Sequence, residues 1–255
     1  MKKLFILSIT ILLCAVVSVH AWNVMTVGGQ TVASGGDWDN TNYTFMWNAE
    51  AADFSATNGT TNYSAGDDTG TLEGGGAITT AASYTGTNGL DVDTSEDKIV
   101  FSPTGIVNVD ADGTIAGWIR ITDWEDGAAI FTIFEDANNY AYLRMDGTDE
   151  LVAQWRVAGS NELRVTTTDA NVPTGTWAFV EWRFDEDSNT MSIEVNGTEP
   201  SGGSGSAAMT AFTPTELIFG EWSGYTTDFH LDDIKIADND TEDIYLVRAE
   251  TDYEN

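Results

Sequence analysis

Cysteine is nearly absent from this sequence. The chain has one cysteine in 255 residues, Cys14, which lies inside an apolar run near the N-terminus. No disulfide can therefore form within the chain, although small exported domains often depend on disulfides. A chain of this length can bury a large core without covalent cross-links, and all-β domains of this size are often single. We therefore expect one domain that is stabilised by packing.

Basic residues are also scarce. The sequence has 10 Lys and Arg residues against 41 Asp and Glu residues, and its formal net charge is −31. Nucleic acid is excluded as a partner because its recognition needs a basic surface. An anionic membrane surface is disfavoured for the same reason. Two explanations of the acidity stay open, which are solubility in salty surroundings and the binding of cations.

Histidine occurs twice, and only His230 lies beyond the first 21 residues. One histidine without a cysteine argues against Ser–His–Asp and Cys–His nucleophiles and against a zinc site built on histidines. His230 and Asp232 share one face of a predicted strand, which favours a hydrogen-bonded pair between them.

The N-terminus has the pattern of a secretory signal peptide. Met1, Lys2 and Lys3 form a positive start, residues 4–17 are apolar, and small residues precede a cleavage point after Ala21. The apolar run is shorter than the roughly 20 residues of a membrane-spanning helix. We therefore expect residues 1–21 to be removed, no membrane span to remain, and the protein to be secreted or held at the cell surface.

Apolar and polar residues alternate along many short segments. In Trp177–Asp185, Val180 and Trp182 point to one face, whereas Glu181 and Arg183 point to the other. Similar segments, separated by turn residues, recur between residues 24 and 236, and they include Val24–Val27, Gly89–Val92 and Glu216–Gly220. This pattern predicts an all-β fold, an antiparallel β-sandwich of about 12–14 strands. The polar segment SGGSGS (201–206) is interpreted as a mobile loop within it.

The tryptophans fall into two groups. Those on predicted strands are expected in the core, namely Trp118, Trp155, Trp177 and Trp182. Those in loop-like sequence are candidates for exposed stacking platforms, namely Trp38, Trp124 and Trp222. The alternative is that each of these anchors its loop.

Several segments together resemble the laminin-G-like, or concanavalin-A-like, jelly-roll family. They are PTGTWAFVEWRFD (173–185) with its VNG exit (195–197), GTIAGWIRI (113–121), AIFTIF (129–134), YAYLRM (140–145), LIFG (217–220) and LDDIKI (231–236). The resemblance covers residues 43–238 and implies a concanavalin-A-like jelly roll. Residues 22–42 and 239–255 lie outside it, as an N-terminal extension and an acidic C-terminal tail, and each could add a strand.

The resemblance implies a structural calcium ion, Ca²⁺. In this family an Asp of the final strand often binds Ca²⁺ beside the first strand, and Asp232 occupies that position. Asn48 and Glu50 follow the first family strand and are the expected side-chain partners. Backbone carbonyls and water would complete the six to eight oxygens that Ca²⁺ prefers. The alternative is that Asp232 and Asp233 form a solvated strand end.

A polar sheet face is the second candidate site. Strand alternation groups its members as Tyr140 with Tyr142 and Arg144, Gln154 with Arg156, and Glu181 with Arg183. If these strands are neighbours, the residues could line the concave face where relatives bind glycans, since Arg and Tyr suit hydroxyls, carboxylates and sugar rings. The alternative is a ladder of cross-strand Arg–Glu pairs that stabilises the sheet.

The catalytic motifs of enzymes in this family are either incomplete in this sequence or lie at a position that does not match the family's. Laminarinase-type relatives use Glu-x-Asp with a further Glu on a central strand, but here the matching spacing, Glu250 to Glu254, lies at the acidic C-terminus. The alginate-lyase branch uses a Gln-x-His strand, whereas Gln154 is followed by Trp155 and Arg156. We therefore expect a protein without catalytic activity.

The sequence predicts a secreted module that binds an extracellular glycan or glycoprotein in adhesion or matrix. One alternative is a self-assembling structural or filament subunit, joined through terminal strands at residues 23–27 and 244–249. A polysaccharide lyase or hydrolase is the remaining alternative.

Overall fold

The computed structural model describes nineteen strands and the loops between most of them. The described residues are 24–27, 30–33, 45–47, 54–55, 59–61, 69–84, 88–95, 97–104, 106–147, 149–170, 172–222, 224–225 and 228–237. In chain order the strands are β1 (Val24–Val27), β2 (Gln30–Ala33), β3 (Phe45–Trp47), β4 (Phe54–Ser55), β5 (Gly59–Thr61), β6 (Thr69–Glu73), β7 (Ala77–Thr79), β8 (Gly89–Val92), β9 (Lys98–Phe101), β10 (Asp112–Asp123), β11 (Ala129–Asp136), β12 (Asn139–Asp146), β13 (Glu150–Val157), β14 (Ser160–Thr166), β15 (Trp177–Asp185), β16 (Thr190–Val195), β17 (Ser204–Ser206), β18 (Glu216–Gly220) and β19 (Asp228–Ala237). One 3₁₀ turn, Thr80–Ala82, follows β7.

The first two strands form a hairpin of their own. β1 and β2 pair antiparallel, with Val24 opposite Ala33 and Val27 opposite Gln30. They lie within a compact unit of residues 1–38, and residues 39–255 form the second unit. The sequence predicts β1 but not β2.

The second unit is built from two antiparallel sheets. The eight-stranded sheet has the order β17-β16-β15-β10-β19-β8-β7, and β3 also pairs with β19. The nine-stranded sheet has the order β14-β13-β12-β11-β18-β9-β6-β5-β4. The predicted antiparallel sandwich is confirmed, and the hairpin that joins β15 to β16 lies within the eight-stranded sheet.

The core contains the apolar faces of both sheets. Trp182 of the eight-stranded sheet and Trp155, Phe131 and Phe219 of the nine-stranded sheet are all fully buried within one cluster. Trp47 of β3 stacks on Phe219, with ring centroids 6.2 Å apart and an interplanar angle of 13°. Burial of each such side chain contributes about 1.5–3 kcal/mol. The strict alternation in the sequence therefore fixes which face of each strand enters the core.

Two of the strand tryptophans that we expected in the core lie on the opposite face of the eight-stranded sheet. Trp118 and Trp177 are half-buried, and Tyr84 stacks on Trp118 with a centroid distance of 3.7 Å. Trp118 sits two positions from Ala116, in a small second apolar cluster that also includes Phe179. The interpretation of these two tryptophans as core residues is therefore wrong.

The interpretation of residues 201–206 as a loop is also wrong in part. Ser204–Ser206 forms the edge strand β17, in which Gly205 pairs with Met191 and Ser204 with Ser192. Its polar composition suits an edge position, because only one side of the strand needs a partner. Within the described residues no helix is long and apolar enough to span a membrane.

Candidate ligand-binding face

The structure divides the predicted polar face between the two sheets. Strands β12 and β13 are neighbours in the nine-stranded sheet, so five of the seven residues share one outward surface, namely Tyr140, Tyr142, Arg144, Gln154 and Arg156. Glu181 and Arg183 lie on β15, in the eight-stranded sheet. The expectation of one continuous surface is therefore corrected, because the order of strands in the sheets was not readable from the alternation.

The register of β11, β12 and β13 builds the first surface. Tyr140 lies opposite Arg156, and Tyr142 lies opposite Gln154. On the other side of β12, Tyr140 lies opposite Phe134. We call the outward set the aromatic–arginine face, defined by Phe134, Tyr140, Tyr142, Arg144, Gln154, Arg156 and Trp222.

Aromatic rings form a continuous strip on this face. Tyr140 and Tyr142 stack with centroids 5.5 Å apart and an interplanar angle of 17°. Trp222, which follows β18, lies 5.2 Å from both Tyr140 and Phe134, measured between ring centroids. Tyr140, Phe134 and Trp222 are half-buried, whereas Tyr142 is 8% exposed. The half-buried rings hold fixed positions while each keeps part of its surface accessible.

The two arginines lie over the tyrosine rings. The guanidinium carbon of Arg156 is 5.7 Å from the centroid of Tyr140, and that of Arg144 is 5.6 Å from the centroid of Tyr142. Such contacts contribute about 0.5–1 kcal/mol at exposed sites and more when they are desolvated. Each arginine is therefore held flat against the sheet.

The two arginines differ in their charge partners. Arg144 lies 3.7 Å from the carboxylate of Asp146 and 3.9 Å from that of Asp126. Arg156 donates a hydrogen bond of 2.9 Å to the amide oxygen of Asn161. Among the described residues it forms no ion pair. In so acidic a protein, Arg156 is therefore a cationic group that is still available to an external anion.

The acids beside Arg144 titrate as a pair. A hydrogen bond with Asp146, and then the negative charge of Asp146, raise the pKa of Asp126. Burial alone would raise the pKa of Asp146, but that hydrogen bond and the charge of Arg144 hold it below its ordinary value. Asp146 also accepts a 2.9 Å hydrogen bond from Arg164. This network fixes Arg144 at the end of the face.

Tyr142 keeps its phenolic proton on this face. Burial raises the pKa of Tyr142, and the positive charge of Arg144 only partly opposes that rise. The side chain is therefore a neutral hydroxyl that can donate and accept hydrogen bonds. Gln154, opposite Tyr142, is 3% exposed and adds an amide to the floor of the face.

Glu181 and Arg183 form the ladder that the sequence left as the alternative. Arg183 lies 3.6 Å from Glu181 and 3.1 Å from Glu194 on β16. Glu181 is 1% exposed, so its charge needs that cation. Arg183 also borders a shallow polar groove of about 540 Å³, which Ser192 and Ser204 help to line. Arg183 is therefore paired with carboxylates of its own sheet.

The predicted calcium ligands are described only in part. Asp232 is fully buried, and one of its carboxylate oxygens accepts a 2.8 Å hydrogen bond from the backbone N–H of Tyr84. Strand β3 ends at Trp47, opposite Ile234, so the chain leaves β3 close to Asp232. Asn48 and Glu50 lie outside the described residues. If Ca²⁺ binds here, the carboxylate of Asp232 would coordinate the ion and also accept the hydrogen bond from the N–H of Tyr84.

Some members of the site were missed by sequence reasoning. Phe134 was read only as part of a strand, and the loop residue Trp222 was interpreted as an exposed platform; the structure joins both to Tyr140. His230 is paired with Asp91 of β8 at 3.2 Å, across the register that joins β8 to β19. The expected partner, Asp232, instead accepts the N–H of Tyr84.

Solved structures share this architecture. The binding domain of botulinum neurotoxin DC, in complex with rat synaptotagmin II, superposes with a TM-score of 0.65 at 15% identity, over 85% of this chain and 53% of that chain. The binding domain of Paraclostridial mosquitocidal protein 1 gives a TM-score of 0.64 at 13% identity, over 83% of this chain and 53% of that one. The chain thus spans about half the length of these structures, and at such identities the likeness establishes the fold.

Sequence comparison identifies the family. No curated protein matches the chain. The laminin-G-type family model described as "Concanavalin A-like lectin/glucanases superfamily" matches residues 93–241. This region holds β9 to β19 and therefore every strand of the aromatic–arginine face. The chain belongs to the concanavalin A-like lectin/glucanases superfamily.

Proposed function

We propose that this protein is a non-catalytic module that binds an extracellular glycan or glycoprotein through the aromatic–arginine face. The observation that carries the proposal is the stack of Tyr140 and Tyr142 with Arg156 lying over Tyr140. Flat aromatic surfaces suit the apolar faces of sugar rings, while a planar guanidinium suits their carboxylates and hydroxyls. The structural neighbours are binding domains, one of them solved with synaptotagmin II, and this supports a binding role for the present chain.

The carboxylates beside Arg144 favour binding over hydrolysis. Asp126 and Asp146 lie 3.9 Å and 3.7 Å from the guanidinium of Arg144, and Arg164 also contacts Asp146. A glycosidase needs two carboxyl groups on either side of the scissile bond, one of them protonated as the acid. Two carboxylates paired with one arginine do not provide that arrangement, so we assign them to positioning Arg144.

A glycan array with fluorescence titration tests this function. We expect Tyr140→Ala and Arg156→Ala to weaken binding at least about tenfold, because each change removes one stacking or charge-assisted contact. Glu199→Ala is the control, since Glu199 borders the groove on the eight-stranded sheet. Thermal melting of each variant checks that the fold is retained. Binding that survives both changes, or release of reducing ends from the ligand, would contradict the proposal.

We further propose that Ca²⁺ binds beside Asp232 and stabilises the sheet. The support is the place of Asp232 next to the end of β3 and the net charge of −31, which favours bound cations. We expect a chelator to lower the melting temperature of the parent protein but not of Asp232→Asn. A melting temperature of the parent protein that changes with neither chelator nor added Ca²⁺ would contradict this proposal.

The binding role also assumes export. The N-terminal pattern of residues 1–21 supports secretion to the extracellular space or cell surface. Expression of the full chain in a bacterial host, followed by mass spectrometry of the exported protein, is expected to find Trp22 as the first residue. Retention of residues 1–21 would argue for an anchored form.

A self-assembling subunit is the second candidate, and one observation favours it. β1 and β2 form a two-stranded sheet separate from both sheets of the sandwich. A two-stranded hairpin is marginally stable in water, and its open edges can pair with strands of another chain. Negative-stain imaging and size-exclusion chromatography of the chain with and without residues 22–42 test this. Equal monomer profiles would remove this candidate.

A further inference from the structure

Three potential metal ligands meet on the outward face of the eight-stranded sheet. Asp91 lies on β8, directly opposite His230 on β19. Asp228 lies two residues before His230, so alternation places both on the same face of β19. One ligand atom from each of the three residues lies within 4.8 Å of the others. This cluster is separate from the aromatic–arginine face, which lies on the other sheet.

The imidazole is placed to bind a metal. His230 is 6% exposed, and its Nε2 atom lies 3.2 Å from the carboxylate of Asp91. Metal ligation requires the neutral imidazole. Its Nδ1 atom has no hydrogen-bond partner among the described residues. The Nε2 atom faces Asp91, so a metal bound there would replace this contact, and the ring proton would move to Nδ1.

The spacing suits a small divalent ion. With bonds of 2.0–2.2 Å, two ligand atoms of a tetrahedral Zn²⁺ lie about 3.3 Å apart. The Nε2 of His230 already lies 3.2 Å from the carboxylate of Asp91. Asp228 would need to approach by roughly 1.5 Å at most, which rotation of its side chain can supply. Because one ligand is a nitrogen, the set matches Zn²⁺ better than Ca²⁺, which prefers six to eight oxygens.

We propose that Asp91, Asp228 and His230 form a binding site for one divalent transition-metal ion of the Zn²⁺ class, held between β8 and β19. Three protein ligands leave a coordination position open for water or for an oxygen of a bound molecule. The ring of Trp177 lies 6.2 Å from that of His230, and Tyr84 lies 5.6 Å from Trp177, measured between centroids. The three ligands therefore lie beside an aromatic surface.

Some of the charges around the site favour a bound cation, and one disfavours it. Arg120 lies opposite His230 on β10 and its guanidinium is over Trp177 at 5.7 Å, so it disfavours a cation. Asp123 lies opposite Asp228 in the register, and Asp93 lies two residues after Asp91. Carboxylates thus outnumber the arginine around the site. A bound divalent cation would relieve their repulsion.

Isothermal titration of the metal-stripped protein, residues 22–255, with Zn²⁺ and separately with Ca²⁺ tests the site. We expect one strong Zn²⁺ site per chain. His230→Gln and Asp228→Asn should each weaken it by about 100-fold or more, since changes even beyond the direct ligands cost 10–100-fold. Asp187→Asn is the matched control, because it removes one exposed carboxylate from the distant turn between β15 and β16. Asp228 is half-exposed, so Asp228→Asn leaves the His230–Asp91 pair in place and tests the site without disturbing that contact.

The other outcomes overturn the proposal. Absence of a stoichiometric Zn²⁺ site in the parent would do so, as would unchanged affinity in both His230→Gln and Asp228→Asn. Equal weakening in Asp187→Asn would show diffuse attraction to an acidic surface. Ca²⁺ binding that is lost in Asp228→Asn but kept in His230→Gln would reassign the cluster to an all-oxygen cation.

Discussion

At the scale of the residue, Asp97 holds a turn together through hydrogen bonds, a role that the sequence did not indicate. It is fully buried at the start of β9 and accepts hydrogen bonds from the backbone N–H groups of Gly75, Thr94 and Asp93. Burial alone would raise the pKa of Asp97, but hydrogen bonds from Thr94 and Gly75 hold it below its ordinary value. An acidic chain offers many such residues, and only the fold reveals which carboxylate caps a turn.

This carboxylate makes stability depend on pH. Because its pKa is lower in the folded than in the unfolded state, its contribution is present above the unfolded pKa of about 3.9 and is lost as pH falls through the folded pKa. We expect Asp97→Asn to lower the free energy of unfolding at pH 7 by about 1–3 kcal/mol, since an amide cannot accept all three bonds. Urea titrations at pH 7 and near pH 3 measure the effect, and the difference from the parent should shrink at the lower pH. A constant difference would assign the loss to packing.

At the scale of the element, alternation predicted strands well wherever one face is buried. Gly89–Val92, Trp177–Asp185 and Glu216–Gly220 have the bounds that the sequence predicts. Strands with little apolar content, such as β2 and β17, were missed because pairing with a neighbour, not a buried face, makes them strands. Trp118 was misplaced because a second apolar cluster covers part of the outward face. Trp177 lies on the same face, near the ring of Tyr84.

Strand β8 also depends on a close approach of two backbones. A Cβ atom added to Gly89 would lie 1.8 Å from the carbonyl oxygen of Ala82 in the 3₁₀ turn. We expect Gly89→Ala to destabilise the protein by at least about 3 kcal/mol, because backbone atoms must move to accept it. Gly175→Ala is the control, since its φ of +74° is strained but its Cβ meets open space, and it should cost about 1 kcal/mol. Thermal melting compares the two, and equal losses would show that the turn shifts easily.

At the scale of the whole molecule, the sequence predicted the class of fold but not the grouping of its polar residues. The same alternating pattern surrounds Tyr140, Arg156 and Arg183 in the sequence. Arg183, however, lies on β15, which belongs to the other sheet. Strand order depends on long-range pairing, which local periodicity does not encode. The cluster of Asp91 with His230 was hidden for the same reason, because 139 positions separate partners that the sheet places side by side.

The net charge of −31 also acts on the molecule as a whole. Repulsion among the carboxylates destabilises the compact state, and salt screens it, since the Debye length falls from about 30 Å at 0.01 M to about 3 Å at 1 M. We expect the melting temperature to rise steadily with NaCl over this range. Tetramethylammonium chloride, whose cation binds carboxylates poorly, is the control for screening without specific binding. A melting temperature that is independent of both salts would show that the charges are already balanced by bound ions.

The position of β18 and β19 in their sheets has a consequence for the order of folding. These two strands come last among those described, yet β19 lies between β10 and β8, and β18 lies between β11 and β9. Neither sheet can close until residues 216–237 have been synthesised. Such non-local pairing is slow, because loop closure precedes the contacts that compensate for it. The emerging chain therefore stays open through most of its translation, and an open chain is what the proposed export through a narrow channel would need.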